Sequence, residues 1–99
     1  MRPFRWSAEK SLILEAERAI SFERIVVAIG DGGVFDVYEH PRQERYPNQR
    51  VLVVHCDGYA FLVPYVEAED HLFLKAIIPS RRATRDHLRS EDETKGQAP

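Results

Sequence analysis

Several residue types and patterns are scarce in this chain, and each scarcity closes a class of function. Cysteine occurs once, as Cys56, which excludes an internal disulfide and a cysteine-based zinc site. The longest apolar run, Tyr59 to Val66, holds eight residues including a proline, far short of the ~18–20 needed to span a bilayer. The four histidines include no HxxxH or HExxH pair, so neither a metal nor a cofactor is predicted. No GxxxxGK[ST] or GxGxxG loop is present, and Asp31-Gly32-Gly33 lacks the preceding strand that a phosphate loop requires. Internal repeats and low-complexity stretches are also missing. The opening Met1-Arg2-Pro3-Phe4-Arg5-Trp6 leads into a charged helical pattern rather than an apolar segment, so no secretory leader and a cytoplasmic location are expected.

What remains describes an ordinary globular chain. Its 99 residues are 43% hydrophobic and 30% charged, enough for one core and one domain. The net charge of −2 hides an uneven distribution. Residues 91–99 carry Glu91, Asp92 and Glu93 against Lys95, and this polar segment is expected to be a disordered tail to a domain spanning 1–90. Between Lys75 and Arg89, five cations (Lys75, Arg81, Arg82, Arg85, Arg89) face one acid, Asp86. Eleven of the fourteen cations are arginine, whose planar fork suits phosphate or carboxylate. Genomic base composition produces the same bias.

Periodicity and caps divide the chain. Ser7 is a candidate N-cap for a helix over about Ala8 to Arg18, with Leu12, Ile13, Ala16 and Ile20 at helical spacing. Ser21 caps a second helix bearing Phe22, Ile25, Val26 and Ile29, which ends at Gly30. Val34 to Glu39 alternates as a strand, and His40 to Asn48 is a loop. Val51 to Cys56 and Tyr59 to Val66 flank Asp57-Gly58, a two-residue hairpin signal of the type I′ kind. Leu72 to Ile78 is the next strand, and Ser80 caps a basic helix over about Arg81 to Ser90. The order α-α-β-β-β-β-α predicts an α+β fold, a four-stranded antiparallel sheet with its helices on one side.

The hairpin also assigns faces. Pairing Cys56 with Tyr59 puts Leu52, Val54, Cys56, Tyr59, Phe61 and Val63 on one apolar face, predicted to pack on the helices. If Val66 pairs with His71, Leu72, Leu74, Ala76 and Ile78 join them. The opposite face receives Gln49, Val51, Val53, His55, Ala60, Leu62, Pro64, Phe73, Lys75 and Ile77. Lys75, centred in an apolar strand, opens either onto a ligand groove or onto plain solvent. Ser80, Arg81 and Arg82 begin a helix beside it, so this corner is either an anion site or a solvated basic helix. His87 and His40 are candidates for proton transfer, with an ordinary surface role as the alternative. His71 is expected in a turn, and Cys56 inert in the core. Carboxylate pairs such as Glu15/Glu17 and Glu67/Glu69 fall on predicted surface positions, which argues against glycosidase-like chemistry.

Two stretches carry a family resemblance. Phe4-Arg5-Trp6, Ala8-Glu9-Lys10 and Ile20-Ser21-Phe22-Glu23 resemble the opening of the BrnT-type toxins of bacterial toxin–antitoxin systems. Ile77-Ile78-Pro79-Ser80-Arg81-Arg82-Ala83-Thr84-Arg85 resembles their Ile-Ile-x-x-Arg-Lys-Ala-Thr signature. Between them, His40-Pro41, Tyr46-Pro47-Asn48-Gln49-Arg50 and Asp57-Gly58-Tyr59 look like a related branch with the same layout. The resemblance covers roughly residues 4–88. It implies a RelE-like fold and an endoribonuclease that cleaves mRNA, acting on RNA alone or on the ribosome. It also implies a small antitoxin, with a ribbon-helix-helix DNA-binding part through which the pair reaches operator DNA.

Matched residue by residue, Arg81 and Arg82 stand at the family's Arg-Lys pair and Thr84 at its threonine; His87 lies where many relatives have a tyrosine. The implied site assigns charge stabilisation to Arg81 and Lys75 and acid–base work to His87 or His40. RNA contacts fall to Arg82, Arg85, Thr84, Tyr46 and Arg50. An acidic antitoxin segment would meet Arg81, Arg82, Arg85 and Arg89. The same fold also serves toxins that inhibit a protein target such as gyrase, and a decayed toxin would retain only operon control.

Overall fold

Serine side chains open the three α-helices found among the described residues. The computed structural model describes residues 2–89; Ser90, the segment 91–99 expected as a tail, and the Leu88 and Arg89 side chains lie outside what is described. Ser7 accepts the Lys10 N–H (3.2 Å) at α1 (Ala8–Arg18), and Ser21 accepts that of Arg24 (3.2 Å) at α2 (Phe22–Gly30). Ser80 accepts the Ala83 N–H (3.0 Å) at α3 (Arg81–Ala83), which widens into a π-helical segment, Thr84–Arg89. Each cap satisfies an N–H that the first helical turn leaves free.

The strands are β1 (Phe4–Arg5), β2 (Val34–Glu39), β3 (Gln49–Cys56), β4 (Tyr59–Glu67), β5 (Leu72–Leu74) and β6 (Ile78–Pro79). They form one mixed sheet in the order β1-β5-β4-β3-β2, with β6 also on β4. The domain is therefore α+β, but among the described residues its sheet has six strands rather than four and is not wholly antiparallel: β1 runs parallel to β5. A two-residue strand has no periodicity to read, and a parallel partner from the far end of the chain leaves no turn signal.

The hairpin has the expected register, Cys56↔Tyr59, Val54↔Phe61 and Leu52↔Val63. Asp57 and Gly58 both take positive φ (54° and 79°), as a type I′ turn requires. The next turn is two residues out: Val66 pairs with Phe73, not His71. A slip of two preserves every face, so Leu74 still reaches the core. The predicted strand from Leu72 to Ile78 then breaks. Lys75 N–H still bonds to Pro64 (2.7 Å), but Ile78 pairs with Leu62, leaving one extra residue between. That bulge reverses the faces. Ile77 is 2% exposed in the core and Ile78 44% exposed, opposite to the expected assignment.

The core joins Leu52, Val54, Cys56, Val63, Tyr65 and Leu74 to Phe22 and Ile25 of α2. The C-terminal helix packs on the other face, over Val53 and Leu62, so helices cover both sides of the sheet rather than one. The expected apolar stripe of α1 is not buried: Leu12 is 69% and Ile13 49% exposed, and Ala16 is exposed too. Its buried residue is Ser11, whose hydroxyl accepts the Phe22 N–H (3.0 Å) and donates to Glu23 (2.6 Å). A polar junction, with Ile20 buried just beyond the helix end, ties α1 to α2. Among the described residues no helix is long and apolar enough to cross a membrane.

That junction has a pH signature. The Ser11 hydroxyl, and after it the backbone N–H of Glu23, hold the Glu23 carboxyl below its ordinary value of 4.5. Asp70, bonded to His71 (2.7 Å), is lowered as well. A carboxylate depressed by folding contributes stability above its unfolded value and loses it as pH falls through the folded one. The melting temperature is therefore expected to drop below about pH 4.5, and Glu23→Gln to flatten that drop in a thermal melt series. An acid limb identical in the variant would contradict the assignment.

Candidate active site

The site begins with a second bulge. Val34 pairs with Val54 but Asp36 with Val53, so Phe35 is an extra residue in β2. Val34 packs on the core, while Phe35 turns to the opposite face and stacks with His55 of β3. Asp36 and Tyr38 follow on that same face, opposite Val53 and Val51. Bulges re-aim side chains in this way.

The C-terminal helix is then pinned across that face. Ser80 N–H bonds to the Ala60 carbonyl (3.0 Å), and the buried Ala60 N–H bonds to the Thr84 hydroxyl (2.9 Å). Thr84 in turn donates to the Ser80 carbonyl (2.7 Å). A threonine that bonds back one turn competes with the regular ladder, and the π-helical segment starts at this residue. Such widened turns recur at functional sites.

Between helix and sheet lies an open cleft of about 370 Å³. Asp36, Tyr38, Val53 and Leu62 form its floor, and Ser80, Arg82, Ala83, Asp86 and His87 its wall. His87 stacks on Phe35, with ring centroids 5.1 Å apart. Asp86 sits 3.9 Å from both Arg82 and Arg85. One carboxylate shared at that distance by two exposed guanidiniums leaves one positive charge in excess on the helix, with Asp36 on the floor opposite it. Asp36 accepts its neighbour's N–H, that of Val37 (2.8 Å). The cleft thus gathers a histidine and a phenol that can exchange protons, an arginine that can neutralise an anion, the carboxylates of Asp36 and Asp86, and the apolar side chains of Val53 and Leu62.

The residues singled out in the sequence divide into three groups. Arg82 and His87 line the cleft, with Arg85 beside them through Asp86. Arg81 is exposed at the helix start, outside the cleft lining, with no acidic partner among the described residues. Thr84 is a structural latch, since its hydroxyl is occupied by Ala60 and Ser80. Lys75 is not in the cleft: its ammonium lies over the Phe73 ring, 5.8 Å from the centroid, so it joins neither Arg81 nor Arg82 in an anion site.

His40, Tyr46 and Arg50 form a separate group at the start of β3. His40 N–H bonds to Gln49 (3.0 Å), four residues before Val53, or roughly 13 Å along a strand. The His40 ring packs on Tyr46 (centroids 4.4 Å apart), and its Nδ1 accepts the Arg42 N–H (3.1 Å). Arg50 shares Glu67 with Arg2, at 3.4 and 3.5 Å. The residues missed by sequence reading are Phe35, Asp36, Tyr38 and His55. The alternation of Asp36 with Tyr38 was a signal for two of them; nothing in the pattern announced the bulge.

Two further cavities offer less chemistry. One of about 490 Å³ is lined by Arg24, Asp31, His55, Cys56 and Asp57, and Arg24 is ion-paired to Asp57 across it. Burial pushes the Cys56 thiol up, away from the thiolate that reacts, as expected of a core cysteine. The other, about 340 Å³, is where Arg2 and Arg50 meet Glu67. No group of three or more His, Cys, Asp or Glu side chains among the described residues is arranged to hold a metal ion. No family model, curated protein or solved structure matches the chain.

Proposed function

We propose that this chain is the toxin of a type II toxin–antitoxin system, a RelE-like endoribonuclease that cleaves mRNA in the cleft between β2 and the C-terminal helix. The supporting observation is the convergence of His87, Arg82 and Tyr38 in one open cleft, at the segment whose residues resemble the BrnT-type signature. RNA supplies its own nucleophile, the 2′-hydroxyl. A protein cleaving it must hold the scissile phosphate, take one proton, return another and stabilise the added negative charge. Arg82 is the charge-stabilising group here, in place of Arg81 and Lys75. His87 and the Tyr38 hydroxyl are the two proton-transfer groups. Arg81 and Arg85 flank them and suit neighbouring phosphates.

The 2′-oxygen attacks phosphorus as its proton leaves to one of these groups. The 5′-oxygen departs with a proton from the other, leaving a 2′,3′-cyclic phosphate and a 5′-hydroxyl. The same arginines suit an acidic antitoxin segment, whose seat over the cleft would block RNA.

The test is the purified chain with single-stranded RNA and with translating ribosomes. Cleavage leaving cyclic-phosphate ends, together with growth arrest on expression, is the expected result. Growth arrest with DNA-damage signalling and intact RNA would instead make it an inhibitor of a protein target such as gyrase. Neutral expression with intact RNA would leave only operon control.

A further inference from the structure

Two backbone irregularities, far apart in the chain, meet at one contact. The bulge carries Phe35 off the core face, and the π-helical segment carries His87. Their rings lie 6° from parallel, centroids 5.1 Å apart. Phe35 also stacks with His55, 11° from parallel at 5.5 Å. Both distances fall in the range of favourable offset stacking. Phe35 belongs to neither the core cluster nor its packed fringe; its aromatic neighbours among the described residues are the two imidazoles.

A histidine side chain on its own turns broadly about its last torsion, and a half-turn puts each ring nitrogen where a ring carbon was. A parallel aromatic neighbour confines the imidazole to one plane. It cannot hydrogen-bond to either nitrogen, because both lie on the ring edge. Phe35 carries no proton and no charge, so any effect it has on the chemistry passes through His87.

We infer that Phe35 is a positioning residue: its ring, steadied by His55, sets the plane of the His87 imidazole and with it the direction in which the ring edge faces the cleft. The catalytic consequence rests on the cleft being the nuclease site; the orientation of His87 does not. Displacing a proton-transfer group by about 1 Å costs up to ~10²-fold in rate. Phe35→Leu removes the flat surface and keeps the apolar volume, whereas Phe35→Tyr keeps the ring.

Histidine-labelled full-length chain and proton NMR read the contact directly. In the wild type, the ring protons of His87 and His55 are expected upfield of free histidine, displaced by the Phe35 ring current. Phe35→Leu returns them towards free values, and Phe35→Tyr does not. On RNA, Phe35→Leu lowers kcat roughly 10–100-fold with KM little changed, and Phe35→Tyr restores it. Wild-type His87 resonances at free-histidine positions would overturn the inference without any variant, so a Phe35→Leu chain that failed to fold would not protect it. Unmoved resonances in a folded Phe35→Leu chain would also overturn it, as would moved resonances with unchanged kcat. If the wild-type chain cleaves no RNA, the proposed nuclease falls, and the resonances still decide whether Phe35 stacks on His87.

Discussion

His87→Ala is expected to reduce RNA cleavage by about 10²–10⁴-fold, the range over which a positioned proton-transfer group contributes, and to abolish growth arrest. The expectation comes from placement. His87 lines the cleft with Arg82 and Tyr38, while His40 lies at the other end of β3 with its Nδ1 engaged by a backbone N–H. His40→Ala is therefore the control and should cleave at close to the wild-type rate. Arg82→Ala should cost about 10²–10³-fold, as loss of a charge-stabilising donor does, and more than Lys75→Ala, whose ammonium is parked over Phe73. The measurement is single-turnover cleavage of a defined RNA. Full activity in His87→Ala, or a larger loss in His40→Ala, would remove the cleft from the mechanism.

Thr84→Val is expected to destabilise the domain by about 1–3 kcal/mol, the cost of leaving a buried donor without a partner. Valine matches threonine in shape but cannot accept the Ala60 N–H, which lies on a fully buried residue. The Ser80 carbonyl loses one of its two donors at the same time, keeping the Thr84 backbone N–H. Thr84→Ser keeps the hydroxyl and should recover most of the difference, so urea midpoints of the two variants separate the hydrogen bond from packing. A threonine whose chief role was to bind RNA would show the reverse: wild-type urea midpoints with weakened RNA affinity. The resemblance assigns Thr84 an RNA contact, but its hydroxyl already holds the helix that carries Arg82 and His87.

Legibility in the sequence followed the range of each interaction. Ser7, Ser21 and Ser80 were readable as caps because each bonds an N–H three residues on. Asp57-Gly58 set the β3–β4 register because both residues tolerate positive φ. The face assignment survived the wrong pairing of Val66 because the error was an even number of residues. It failed after Lys75, where a single extra residue reversed it and exchanged Ile77 with Ile78. In α1, Leu12 and Ile13 have the spacing of a buried stripe, yet the buried contact belongs to Ser11. Helical spacing shows which residues share a face, not whether a partner covers it. Of the candidate site, Arg82 and His87 were named from the sequence, whereas Phe35, Asp36 and Tyr38 were not.

The amino-acid order alone determined where the helices begin, how the central hairpin pairs and which residues of β3 and β4 share a face. All of these are settled by side chains acting on backbone a few residues away. Only the tertiary structure decided that the C-terminal helix crosses the face opposite α2, that two bulges turn Phe35 and Ile77, and that His87 rather than His40 meets Arg82. Those outcomes depend on contacts such as Thr84 with Ala60 and Phe35 with His87. Their partners lie dozens of residues apart, where no local pattern can record them.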